Sequence, residues 1–290
     1  MKLLAIVVTY FPEINELIQN ISSYIDDVDE LIVWENTPSG NISYKRDDIL
    51  SVCPEKILFK GVGENAGIGT ALNAGVNYGV DNSFTHLITF DQDSYFEEGE
   101  LKKYKQIVDD SEKNNLLVGI FAPNYCQNNK FEYPKSDVIS IQSECITSGA
   151  IISRVALKNK ILFDETLFID CVDFEYCYRL KRGYDLETAI CSNVILNHQV
   201  GYVQQTIWGF KTENYSAFRT YFIVRNTLII WRAYPSYFPK HKKYSLVKNQ
   251  IILRICKVLL AESDKWNKIK AIFIGVYHAL IKKTGYYCVK

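Results

Sequence analysis

The first hundred residues alternate short apolar runs with longer amphipathic stretches. Leu3–Thr9 is apolar almost throughout, which predicts a strand covered on both faces. Pro12 suits the first turn of a helix, and helical spacing continues to about Tyr24. Leu31–Trp34, Ile57–Lys60 and Leu87–Phe90 predict three further strands, with a helix over Ala66–Tyr78. Strands alternating with helices predict an α/β fold with a doubly wound parallel sheet. From Glu97 to about Gly201 the pattern changes. A charged helix, Glu98–Lys113, is followed by short strands at Leu117–Ala122, Val138–Ile141, Ala150–Ser153 and Val194–Asn197. No Pro/Gly/Ser linker separates this stretch, so it reads as a mixed-sheet extension of the same domain. The last third predicts helices over Phe218–Trp231, near Leu246–Ala261 and over Trp266–Ile281.

In sheets of this kind ligands sit beyond the carboxyl ends of the strands. Thr9-Tyr10, Glu35-Asn36, the Gly61–Gly69 segment and Asp91–Ser94 all fall at those ends. The run Thr89-Phe90-Asp91-Gln92-Asp93-Ser94 is the most informative. Two carboxylates one residue apart after a buried strand point roughly the same way once the chain turns. Such a pair can hold a divalent cation, and through it a diphosphate. The bland alternative is a turn capped by aspartates. Gly67 and Gly69 allow close backbone approach, with Asn65 supplying an amide, although an ordinary tight turn reads the same way. No Gly-Lys-Ser/Thr follows, so this is not a Walker loop.

Formal net charge is zero, which argues against a nucleic-acid binder. The balance is nonetheless segregated. Lys240 to Lys290 holds 12 Lys and Arg against 2 Asp and Glu, a local net of +10. Ile269, Ile272, Phe273, Val276 and Leu280 form one stripe there, flanked by Lys265, Lys268, Lys282 and Lys283. A helix pair packed on the sheet domain is one reading. The charge favours an in-plane membrane contact, with Trp266, Tyr286 and Tyr287 at the interface. The eight cysteines form no Cys-x-x-Cys pair and read as reduced, partly buried thiols of a cytosolic protein. Leu3–Val8 is too short for a signal peptide, and no apolar run reaches 18 residues.

The order of motifs is more specific than any one of them. Ile6-Val7-Val8-Thr9-Tyr10-Phe11-Pro12 is followed by Val33-Trp34-Glu35-Asn36-Thr37, then Glu64-Asn65-Ala66-Gly67-Ile68-Gly69 with Asn73 and Gly75. Asp91-Gln92-Asp93-Ser94, Ser148-Gly149 and Phe168-Ile169-Asp170-Cys171-Val172-Asp173-Phe174-Glu175 come next, and Arg179, Gly183-Tyr184, His198 and Arg225-Asn226 complete the series. In this order the chain resembles the inverting family 2 glycosyltransferases, most of all their rhamnosyltransferase-like and O-antigen hexosyltransferase branch. The resemblance implies the A-type nucleotide-sugar fold, a Rossmann-like, mostly parallel sheet flanked by helices, here with a C-terminal helical extension. It implies a nucleotide-sugar-binding half over 1–95, an acceptor and catalytic half over 96–205, and basic helices over 206–290.

By the same resemblance Asp91 and Asp93 hold Mn2+ or Mg2+, with His198 as a third ligand, and Asp91 also faces the ribose. Thr9, Tyr10, Glu35, Asn65, Gly67, Asn73 and Arg225 bind the donor, Glu35 standing where the family has an aspartate for the nucleobase. Arg219, on the same helix as Arg225, is the less favoured phosphate partner. Inversion needs a base opposite the leaving group. The resemblance places it at Asp173, though Val172 stands where the family has Glu. Asp170 and Glu175 compete for the role, and a carboxylate in a helix's first turn is favoured by the dipole alone. The implied reaction moves a hexosyl unit from dTDP-rhamnose, UDP-glucose or UDP-galactose to a polyprenyl-diphosphate-linked sugar, at the cytoplasmic face of the inner membrane. A nucleotidyltransferase and a non-catalytic sugar-nucleotide-binding module are the rivals. The first usually has a Gly-rich loop with Arg and Lys after the first strand, which Thr9–Pro12 lacks; the second does not need Asp173.

Overall fold

The computed structural model describes residues 1–127, 130–198, 204–205, 211–212 and 214–289. Strand β1 (Leu3–Thr9) is buried at every position. Helix α1 (Ile14–Ser22) starts where Glu13 accepts from the backbone N–H groups of Asn15 and Glu16. Strand β2 (Glu30–Glu35), helix α2 (Arg46–Leu50), strand β3 (Ile57–Lys60) and helix α3 (Ile68–Asp81) follow. Helix α3 begins two residues later than its spacing predicts. Gly67 precedes it at φ 85°, a left-handed conformation that breaks the helical run. Strand β4 (His86–Asp91) leads into β5 (Tyr95–Phe96) and helix α4 (Glu100–Lys113).

The middle stretch holds β6 (Val118–Gln127), β7 (Lys130–Phe131), β8 (Ser140–Gln142), β9 (Ile151–Ile152), α5 (Arg154–Lys158), α6 (Val172–Tyr184) and β10 (Glu187–Asn197). The main sheet runs β3-β2-β1-β4-β9-β6-β10-β5, with β7 on β6 and β8 on β10. β1 to β4 pair in parallel. β9 joins β4 and β6 antiparallel, while β6 and β10 are parallel again. The parallel expectation therefore holds for the N-terminal half, and the mixed extension for the rest. β10 is longer than the predicted Val194–Asn197. Its register slips between Cys191 and Ile195, and polar Ser192 and Asn193 fall in that irregularity and hide the earlier half.

The described residues divide into two compact units. The first comprises Met1–Phe163 with Tyr176–Gln199. Its core is built from strand residues such as Leu3, Val7, Leu31, Ile88, Phe90 and Phe121, with Leu101 and Tyr104 of α4. Gly75 of α3 sits so close to Ile6 and Leu87 that a Cβ would come within 3.2 Å of each.

The second unit comprises Asp164–Glu175 and the described residues beyond 200. It contains α7 (Ala217–Ala233), α8 (Lys240–Leu246), α9 (Leu253–Ala261) and α10 (Lys265–Leu280), with a π-helical stretch over Val247–Ile252 linking α8 to α9. Phe168, Tyr221, Phe222 and Ala271 form its core. Gly275 of α10 lies against α7, where a Cβ would fall 3.0 Å from the Tyr221 carbonyl. No described helix is long and apolar enough to cross a membrane. None of the eight cysteines is in a disulfide; Cys145, Cys177 and Cys191 are buried, whereas Cys256 and Cys288 are exposed.

Candidate functional site

Register builds the acidic site. β1 pairs with β4 so that Val8 faces Asp91, and with β2 so that Thr9 faces Glu35. Three strand ends thus finish in line. On the far side β5 pairs antiparallel with β10, setting Asn197 opposite Tyr95. One step further along that ladder brings His198 to Ser94, whose hydroxyl lies 2.7 Å from the imidazole Nδ1.

The trio Asp91, Asp93 and His198 follows from this. His198 Nδ1 is 3.3 Å from Asp93 Oδ1, and Nε2 is 3.8 Å from Asp91 Oδ2. Each residue offers one ligand atom, all within 4.8 Å of one another. Both carboxylates are partly open, whereas the ring is nearly covered. Burial alone lowers the imidazole's pKa; the hydrogen bond with Asp93 and the two carboxylate charges more than offset it, so the net shift is upward. Two carboxylates and an imidazole are a suitable donor set for a divalent cation.

The support beneath the trio is neutral. Ser94 and Ser148 hydroxyls are 2.7 Å apart, and Ser148 Oγ accepts the Asp91 N–H at 3.1 Å. Gly149, at φ 72°, donates its N–H to the Thr89 carbonyl. Gln92 has a role the motif alone did not reveal. Its side-chain oxygen accepts the Tyr10 N–H at 2.7 Å, and its carbonyl accepts from Asn20 at 2.9 Å. The signal was present in the pairing of β1 with β4, which puts the residues after each strand side by side.

The expected donor-binding residues divide. Tyr10 is about half exposed. Thr9 is buried and donates its hydroxyl to the Trp34 carbonyl. Glu35 is buried; its carboxylate accepts from Tyr44 Oη at 2.9 Å and from Arg46 through both Nε and Nη2. Asn65 accepts the Gly67 N–H, and Asn36 holds the same loop through Ala66 and Gly67. Asn73 is buried and exchanges two hydrogen bonds with the Phe163 backbone. An open cavity of about 510 Å³ lies beside Trp34, Phe59, Gly61 and Tyr78, and none of the expected site residues lines it.

In the second unit, the segment before α6 is strained. Phe168, Asp170 and Cys171 have φ of 67°, 60° and 66°, a region that non-glycine residues seldom occupy. The amide of Asn226 holds it there, donating to the carbonyls of Leu167, Ile169 and Asp170 at 2.7 to 2.9 Å. Arg225, read as a donor contact, is fully buried. Its guanidinium donates to the carbonyls of Thr166, Leu167 and Gly285.

Of the three acids competing for the base, Asp170 is gripped by Arg219 at 3.0 and 3.1 Å. Burial raises its pKa, with the Arg219 charge opposing. Glu175 is buried and accepts from Tyr234 Oη at 2.6 Å. Asp173 sits half-buried in the first turn of α6, its Oδ1 accepting the Phe174 N–H.

No family model matches the chain. The chain is 26% identical over 283 residues to the dTDP-rhamnosyl transferase RfbF of Shigella flexneri, spanning 92% of this chain and 90% of that protein. S. aureus TarS 1-349 in complex with UDP-GlcNAc superposes with a TM-score of 0.56 at 15% identity, covering 96% of this chain and 81% of that one. GalNAc-T7 with UDP, GalNAc and Mn2+ gives a TM-score of 0.59 at 12% identity, covering 96% of this chain and 58% of that one. The chain spans 43% of a longer S. aureus TarS chain. The mixed sheet with flanking helices and a helical C-terminal region is therefore the A-type glycosyltransferase fold. The resemblance to the rhamnosyltransferase-like glycosyltransferases extends over nearly the whole sequence.

Proposed function

With a rhamnosyltransferase-like glycosyltransferase as the premise, we propose that this chain is an inverting hexosyltransferase of family 2. It moves a hexosyl unit from a nucleotide-diphosphate sugar to a polyprenyl-diphosphate-linked sugar in O-antigen or capsule assembly. dTDP-rhamnose is the first candidate donor, supported by the likeness to the Shigella protein; UDP-glucose and UDP-galactose are the others. The observation that carries the reading is the meeting of Asp91, Asp93 and His198 at the carboxyl edge of a doubly wound sheet. Those three side chains would hold Mn2+ or Mg2+. Bound there, the cation supplies positive charge against the charge that develops on a leaving diphosphate.

The remaining steps belong to the protein's own groups. Ser94 and Ser148 hold the imidazole and the Asp91 backbone in place. Thr9, Tyr10, Glu35, Asn65 and Gly67 form the donor side, with Arg46 fixing the Glu35 carboxylate and Gln92 tying the first loop to the acidic one. Asp173 takes the proton from the acceptor hydroxyl as its oxygen bonds to the anomeric carbon and the bond to the diphosphate breaks. Arg225 and Asn226 position the segment that leads to this residue. The protein works at the cytoplasmic face of the inner membrane, where a lipid-linked acceptor is presented.

The test is a donor panel. Radiolabelled dTDP-rhamnose, UDP-glucose and UDP-galactose are each incubated with a GlcNAc-diphospho-lipid analogue, with and without Mn2+. One donor should label the lipid, and Asp173→Asn should abolish labelling while retaining donor binding. No transfer from any of the three, or unchanged turnover in the variant, refutes the assignment.

A further inference from the structure

Helix α10 carries charge inside and its largest apolar groups outside. The face of α10 directed into its own unit carries Lys268, Ala271, Ile272, Gly275, His278 and Ala279. Lys268 Nζ lies 3.0 Å from Glu262, whose other oxygen is 2.7 Å from Arg254 of α9. His278 Nδ1 meets Tyr221 Oη at 2.8 Å. Polar and small groups share the inner face with Ile272. The outer face holds the large apolar ones: Trp266 is 82% exposed, Phe273 62%, Tyr277 59% and Leu280 64%. Their spacing of seven, four and three residues keeps them on one side of a helix. The predicted stripe of Ile269, Ile272, Phe273, Val276 and Leu280 is split accordingly, with Ile272 inside and Phe273 and Leu280 outside. Helix α9 buries Arg254 beside Val258 and exposes Leu259 and Leu260.

An exposed apolar stripe of this size marks a surface that meets something. Charge identifies what. Lys257, Lys270, Lys282 and Lys283 are exposed beside the apolar positions, in a segment with a net charge of +10. A second copy docked through the same face would set lysine against lysine, because a two-fold contact is self-complementary. An anionic bilayer reverses that sign, and Trp and Tyr suit its interface. We propose that the outer face of α10, continued by α9, docks in the plane of an anionic phospholipid surface, with Trp266, Phe273, Tyr277 and Leu280 entering the headgroup boundary. This deepens the membrane-face placement above and rests on it for its biological sense; the binding itself involves neither donor nor acceptor.

The experiment is co-sedimentation of the full chain with vesicles of phosphatidylcholine alone, or with about 30 mol% phosphatidylglycerol, a level that gives a strongly negative surface. The chain should partition to the anionic vesicles and release with added salt. Phe273→Glu with Tyr277→Glu should weaken partition at least about tenfold, and Lys282→Glu with Lys283→Glu by about tenfold. Should the first pair fail to fold, Trp266 emission serves in its place. It should shift to the blue on anionic vesicles, and the shift should vanish in Trp266→Phe. Equal partition to neutral vesicles, or unchanged partition of the glutamate pair, overturns the proposal. So does a wild-type dimer that the pair converts to monomer without vesicle binding. Vesicle binding without sugar transfer would instead count against the reaction alone.

Discussion

Two acidic clusters, one in each unit, handle carboxylates in opposite ways. Asp91 and Asp93 are partly open to solvent, and everything rigid about them lies beneath: a covered imidazole, two hydroxyls and a ladder register. Just before α6 the backbone is forced into left-handed turns at Phe168, Asp170 and Cys171, and Arg219 and Tyr234 engage Asp170 and Glu175. The first arrangement keeps carboxylate oxygens available to a cation. The second fixes the direction of a short chain segment. In the proposed reaction the first cluster would be the ligand set and the second would carry the base, so solvent access matters at the one and aim at the other.

The sharpest way to break this contrast is to remove a ligand. Asp93→Ala and His198→Ala should each lower kcat by on the order of a thousandfold, and Mn2+ titration by calorimetry should show lost binding. Chelation of the wild type should reproduce the loss and added Mn2+ reverse it, whereas the alanine variants should not recover. A wild type indifferent to chelation would dissolve the distinction between the clusters.

Next comes the strained segment. Asn226→Leu leaves three carbonyls without the amide that holds them, at a cost of about 2–4 kcal/mol, readable in urea melts. Its kcat should fall with stability while Mn2+ affinity stays unchanged, which separates aiming from ligation. A smaller effect belongs to the support of the first cluster. Gln92→Ala should raise the donor KM several-fold with little change in stability, because it frees the Tyr10 loop and nothing in the core.

The smallest effect concerns Asp170. Its folded pKa is raised, so its charged form is disfavoured in the fold relative to the unfolded chain. Its contribution to stability is therefore greatest below the ordinary carboxylate pKa and diminishes as pH rises through the raised value. Asp170→Asn should change stability by less than about 1 kcal/mol at neutral pH, since Arg219 is substantially exposed. Wild type should lose stability relative to the variant as pH rises, as measured by melts from pH 3 to 7. A wild-type advantage that grows with pH would show the ion pair to dominate burial.

The sheet was legible because β1, β2 and β4 are apolar along their lengths, and buried parallel strands impose that composition. The Asp pair was legible as a local feature at a strand end, whereas His198 joined it only through the family resemblance, because 104 positions separate it from Ser94 beside the pair. What stayed hidden depends on partners distant in sequence. Asn73 reads as a polar group on a helix near the ligand edge, yet it binds the backbone of Phe163. Arg225 looks like a phosphate contact until its five-donor fork is seen among backbone carbonyls. Lys268 reads as a flank of the apolar stripe, because nothing in the spacing announces that Glu262 neutralises it inside. Arg46 gives no hint of Glu35 until α2 carries it there. Periodicity reports which positions are apolar; it cannot tell which polar positions find each other.

The ladder of β5 with β10 has a consequence for biogenesis. The hydrogen bond between Ser94 and His198 spans 104 positions of chain, so the complete Asp91, Asp93 and His198 trio cannot exist on a nascent polypeptide that has emerged only through its first aspartates. The mixed half of the sheet must close before the last ligand arrives. If the trio holds the proposed cation, its affinity would double as a reporter of finished folding, and half-synthesised chains in the cell should not compete for manganese or magnesium.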